Sequence, residues 1–102
     1  MILTPEALAS IRNYIKDSVG YGEYQVAGVW NRVEIQNAAI LEDGRITVTM
    51  LLGQDYTETI TITGIRVYSV NDVLVAETAE SIQCMAPEEG IFYRFRFEVK
   101  EV

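Results

Sequence analysis

Between Arg45 and Thr78 the chain reads RITVTMLLGQDYTETITITGIRVYSVNDVLVAET, with apolar residues returning at every second position and turn residues interrupting the run. That period leaves few folds open. Ile46, Val48, Met50 and Leu52 alternate with Arg45, Thr47, Thr49 and Leu51, which predicts a strand buried on one face. Ile60 and Ile62 continue the alternation against Thr59, Thr61 and Thr63, but the next apolar residues are Ile65 and Val67, so the spacing slips from two to three at Gly64. An inserted residue there predicts a β-bulge or sharp bend at Thr63-Gly64, where glycine would accept positive φ. A strand end followed by a new strand is the other reading of the same slip.

Upstream, Thr4-Pro5-Glu6 has the composition of a helix start: a hydroxyl cap, proline in the first turn and a carboxylate near the positive dipole end. Leu8, Ile11, Ile15 and Val19 form an apolar stripe at helical spacing, with Arg12, Lys16 and Asp17 outside it, and Gly20 is read as the stop. The prediction is an amphipathic helix over residues 5–19 that needs the domain's own sheet to cover it. Tyr21-Gly22-Glu23-Tyr24 reads as an aromatic, glycine-broken connection. Its rings can stack on a sugar or a partner surface, or sit half-buried at a strand start. Gln25 to Trp30 is β-like, with Trp30 either anchoring the core or joining Arg32 in a surface contact.

A strand through Val33 and Ile35 and then Ala39 and Leu41 leads to Glu42-Asp43-Gly44, which predicts a hairpin with a type I′ turn. A second turn is expected at Val70-Asn71-Asp72, between Ile65 to Ser69 and Val73 to Thr78. Ala79 to Gly90 reads as the longest loop, irregular and acidic. The closing run puts Ile91, Tyr93, Phe95, Phe97 and Val99 on one face and Phe92, Arg94, Arg96, Glu98 and Lys100 on the other, and those charges would blunt a sheet edge. The fold class that follows is α+β: one N-terminal helix on a small antiparallel sheet or two-layer β-sandwich of about six strands. With 102 residues the chain is expected to form one domain, its β-rich part over residues 23–101.

Fifteen acidic against eight basic residues give a net charge of −7, which disfavours nucleic acid as a partner. There is no histidine and only one cysteine, Cys84, so neither a Cys/His metal site nor a His-dependent nucleophile can be built, and no intrachain disulfide can form. Cys84 is expected to be a small buried or half-buried hydrophobe. No phosphate-loop, dinucleotide or nucleophile-elbow motif occurs, and no pair among the fifteen acids is singled out for acid/base work. No catalytic residue, cofactor or metal is therefore assigned, and the expectation is a protein that is not an enzyme. The N-terminus lacks a basic, then apolar, leader and no apolar run reaches about 20 residues, so the chain is expected to be made in the cytoplasm without a membrane partner.

Ile60 to Ala76, ITITGIRVYSVNDVLVA, resembles a segment near the N-terminal attachment domains of bacteriophage tail-fibre and tail-collar proteins. There a strand of the form I-x-E-I-G-L-Y precedes an Asp/Gly turn and x-L-[IV]-A. Ile65, Val67, Tyr68, Leu74, Val75 and Ala76 match, whereas Gly64 and Arg66 replace an acid and a glycine, and Asn71-Asp72 replaces the turn pair. Leu3 to Ile11 and the aromatic closing strand are similar to the family's opening helix and domain end. The resemblance implies a small stand-alone structural component of a phage or prophage tail or baseplate. It would bind other tail or baseplate proteins and self-associate in a symmetric ring or trimer. Its place would be the virion tail, and the receptor-binding activity of full fibres does not carry over. Candidate protein-contact residues are Tyr21, Tyr24, Trp30 and Arg32. The alternative is a small β-rich binding module, for carbohydrate or a protein ligand, using the same aromatics.

Overall fold

Thr4 opens the first element in the way its sequence predicts. Its Oγ1 accepts a hydrogen bond from the Ala7 N–H at 3.1 Å, and Pro5 and Glu6 occupy the first turn of α1 (Pro5–Ser18). The structure, a computed structural model, describes residues 3–99; Lys100 and the expected end of the β-rich part at 101 lie outside the described residues. No described helix is long and apolar enough to cross a membrane.

Six strands follow: β1 (Val19–Val26), β2 (Val29–Ile40), β3 (Ile46–Leu52), β4 (Ile60–Ser69), β5 (Leu74–Cys84) and β6 (Ile91–Phe97). They form one antiparallel sheet in the order β5-β4-β1-β2-β3-β6. Of the two arrangements expected, the helix on a single sheet is the one observed.

Two expected connections are strands instead. Tyr21 to Tyr24 lies inside β1, which begins directly after the helix, so Gly20 is a strand residue and not the helix stop. Ala79 to Cys84 continues β5; its alternation was hidden because Glu80 occupies the inner phase ahead of Ile82 and Cys84. Only Met85 to Gly90, with a 3₁₀ turn at Pro87–Glu89, connects β5 to β6.

The hairpins use positive φ sparingly. Ala27 (φ 51°) and Gly28 (φ 79°) form a two-residue turn between Val26 and Val29, unrecognised in sequence because alanine seldom adopts that conformation. The β2–β3 hairpin falls where Asp43-Gly44 predicts it, but not with the expected turn. Only Gly44 has positive φ (86°); Gly44 N donates to Leu41 O at 2.9 Å and Leu41 N to Arg45 O at 2.8 Å, closing a three-residue loop. The β4–β5 turn repeats the pattern, with Asp72 (φ 64°) as the left-handed residue.

At Thr63 the expected bulge is present. Gln25 pairs with Gly64 and the adjacent Val26 with Ile62, which leaves Thr63 without a β1 partner and returns Ile65 and Val67 to the buried face beside Ile60 and Ile62. Gly64 itself has no positive φ. Its role is close approach: a Cβ there would lie 2.8 Å from Cη2 of Trp30. A second irregularity faces the first, because Glu80 and Ser81 of β5 stand opposite Thr63 alone.

A register shift between Ile35 and Asn37 lets the long β2 pair with β1 along its first half and with β3 along its second. The sheet wraps a core built chiefly by β3 (Ile46, Val48, Met50, Leu52) and β4 (Ile60, Ile62, Ile65, Val67), joined by Tyr24, Val26, Cys84 and Phe95. Each such side chain contributes roughly 1.5–3 kcal/mol on burial, so this set dominates stability. Cys84 is in that core, as its sequence context predicts. Tyr93 of β6 donates a hydrogen bond to Oε1 of Glu80 on β5 at 2.6 Å, joining the inner sides of the two edge strands. The helix spans one end. Ser18 O accepts from Val70 N at 2.8 Å in the β4–β5 turn, Arg12 lies over Gly44 in the β2–β3 turn, and Ile15 packs against the core. Its stripe is only partly covered, with Ile11 still 37% exposed.

Candidate functional site

Strand periodicity sorts the four aromatic and basic candidates. In β1, Gly22, Tyr24 and Val26 are buried while Tyr21, Glu23 and Gln25 point to the other face. Tyr21 and Tyr24, three residues apart, therefore face opposite ways. Tyr24 is 2% exposed and packs edge-on against Tyr56, so it is a core residue and not a contact residue. Burial pushes its phenol above the ordinary tyrosine range. Trp30 and Arg32 pair with Gln25 and Glu23 in register and join Tyr21 on the outer face.

The register also brings in two residues that the sequence alone did not assign to a site. Arg66 and Tyr68 of β4 sit opposite Glu23 and Tyr21, and Glu77 of β5 sits opposite Arg66. One row across four strands thus reads Glu77–Arg66–Glu23–Arg32, alternating in sign. The signal for Arg66 and Tyr68 was their phase, out of step with buried Ile65 and Val67, but only the pairing shows which neighbours they meet.

Geometry on this face is specific. Tyr21 stacks on Tyr68 with centroids 5.0 Å apart and planes within 12°, and the Arg32 guanidinium lies 4.0 Å from the Tyr21 centroid. Because β4 and β2 flank β1 on opposite sides, Tyr21 is held between the two. Its hydroxyl donates to Oδ1 of Asp72 at 3.0 Å, and burial followed by that carboxylate raises the phenol above its usual range. Arg66 lies 3.8 Å over the Trp30 ring while its Nε donates to Oε2 of Glu77 at 3.0 Å. The hydrogen bond to Glu77 holds the Arg66 guanidinium above its usual range, and the absent side chain of Gly64 leaves room for the ring's edge.

Beside Trp30 runs a shallow groove of about 320 Å³ lined by Gln25, Thr63, Gly64, Glu77, Thr78 and Ala79, created where the two bulges meet. Thr63 Oγ1 donates to Oε1 of Gln25 at 3.1 Å on its floor. A second, smaller groove of about 220 Å³ lies between β2 and the β3–β4 loop, where Arg32 and Glu34 face Gln54 and Asp55.

Each stacked cation contributes about 0.5–1 kcal/mol at an exposed site and the tyrosine pair a similar amount. Their larger effect is to fix side chains that would otherwise be free, which lowers the entropy cost of using them in an interface. The same stacking limits other uses. Tyr21 has both ring faces occupied and Trp30 has one face under a guanidinium, so a sugar ring would have to displace arginine. Among the described residues, no group of three or more Cys, Asp or Glu side chains is placed to hold a metal ion. Compared with protein-family models, with curated proteins and with solved structures, the chain has no match.

Proposed function

We propose that the protein works by protein–protein contact through the outer face of β1, β2, β4 and β5, with no chemistry of its own. The setting we propose is a phage or prophage tail or baseplate, where the attachment-domain resemblance of Ile60 to Ala76 would put it, with self-association as part of assembly. The observation that carries the contact reading is the pre-stacked set Arg32–Tyr21–Tyr68 and Arg66–Trp30. Tyrosine, tryptophan and arginine are the residue types that concentrate binding energy in protein interfaces.

Light scattering on a size-exclusion peak, over a range of concentrations, tests the proposal. The expected result is a discrete oligomer that Arg32→Glu converts to monomer without loss of the circular-dichroism signal. The groove beside Trp30 supports the carbohydrate-binding alternative, which has its own readout. A monomer at every concentration whose Trp30 emission shifts with one member of a glycan panel would replace the assembly reading with that one.

A further inference from the structure

The sheet has two edges, and they are not alike. Among the described residues β6 has backbone partners only on its β3 side, so its other side presents unpaired N–H and C=O groups. Its outward row is Phe92, Arg94 and Arg96, all exposed, with Phe92 71% accessible. The bond from Tyr93 to Glu80 lies on the core side and leaves this row in solvent. In a chain with fifteen acids to eight bases, neither Arg94 nor Arg96 forms an ion pair within the described residues, whereas Lys16, Arg45 and Arg66 each do.

We propose that β6 is a strand-addition site for an extended acidic polypeptide segment of a partner protein. An added strand would continue the backbone ladder, and its alternate carboxylates would meet Arg94 and Arg96, whose Cα atoms stand roughly 7 Å apart along a strand. Phe92 supplies an apolar contact at the start of the row. Pairing of β6 with β6 of a second copy sets arginine against arginine and is disfavoured, so the arginines also select against self-association at this edge. A nucleic-acid strand offers the negative charge but cannot complete the ladder, and the net charge of −7 repels it.

The probe is a short peptide in which glutamate alternates with valine, titrated against the full chain, with hydrogen exchange followed on β6. The expected result is saturable binding, added protection of β6 amides, and affinity at least about tenfold weaker in R94E/R96E. The matching lysine–valine peptide should not bind. Both arginines are exposed, so the double variant should keep the wild-type circular-dichroism spectrum. Absence of binding, equal binding to R94E/R96E, or binding without protection of β6 would overturn the proposal. Equal binding of single-stranded DNA would also overturn it, by making the arginines a general polyanion site. None of these readouts depends on the outer face of β1, β2, β4 and β5, so the two proposals fail separately.

Discussion

At the residue scale, Gly64 shows how one position can be informative for a reason other than the one expected. The slip in periodicity marks a bulge, and the bulge is there, but glycine is required by a neighbour and not by its own φ. Trp30 crosses from β2 to lie against the β4 backbone under Arg66, and any Cβ at Gly64 would meet the ring at 2.8 Å. Gly64→Ala should therefore displace the indole, breaking its stack with Arg66. The expected outcome is a red-shifted Trp30 emission together with a loss of about 1–3 kcal/mol in urea unfolding, in the range for overpacking. An unchanged emission maximum would mean that the ring is not held against this backbone. Since Trp30 is the chain's one tryptophan, the signal is unambiguous.

At the element scale, the hairpins govern register and hence which side chains share a face. The β1–β2 turn sets Tyr21, Trp30 and Arg32 on one surface, yet it contains Ala27 at φ 51°, where an L-residue with a Cβ is strained by about 1–2 kcal/mol. Asparagine tolerates the left-handed region and favours this turn. Ala27→Asn should raise stability by about 0.5–1 kcal/mol, measured by denaturant midpoint with an unchanged m-value. A drop in stability would mean that the turn is not of the two-residue type. The β2–β3 and β4–β5 turns need no such correction, because a glycine and an aspartate already occupy their left-handed positions.

At the scale of the whole molecule, the fold is elongated, 50 × 23 × 22 Å, and its sheet has two edge strands, β5 and β6. The bond between Tyr93 and Glu80 links the two edges. Burial pushes the Tyr93 phenol well above its usual value of 10.0, and the Glu80 carboxylate pushes it in the same direction. A raised folded-state value means that the folded protein holds this proton more tightly than the unfolded chain does. The resulting stabilisation is fully present below pH 10 and is lost as pH climbs above it. Tyr93→Phe should cost about 1 kcal/mol at neutral pH and make the decline above pH 10 shallower than in the wild type. Hydrogen exchange should quicken in β5 and β6 before β1 and β4. If the alkaline limb is the same in both proteins, the link between the edges does not carry stability.

Sequence by itself determined the elements whose cause is local. Thr4-Pro5-Glu6 starts the helix, Asp43-Gly44 and Asn71-Asp72 place two hairpins, and the alternation of Ile46 to Leu52 and of Ile91 to Phe97 fixes which residues face the core. Each rests on backbone geometry within a few residues. Glu80 in an inner phase hid the end of β5, and Ala27 hid a turn, because both residues act against their own preferences under tertiary packing. The site lay further out of reach. Tyr21, Trp30 and Arg32 are legible as candidates and Tyr24 as one more, but a period of two gives the face only once the strand is known to be a strand. Arg66 meets Trp30 across 36 positions of chain and Tyr68 meets Tyr21 across 47, by pairing of β1 with β4. Pairing between distant strands depends on the curl of the sheet and on two bulges, and periodicity along one strand carries no information about either.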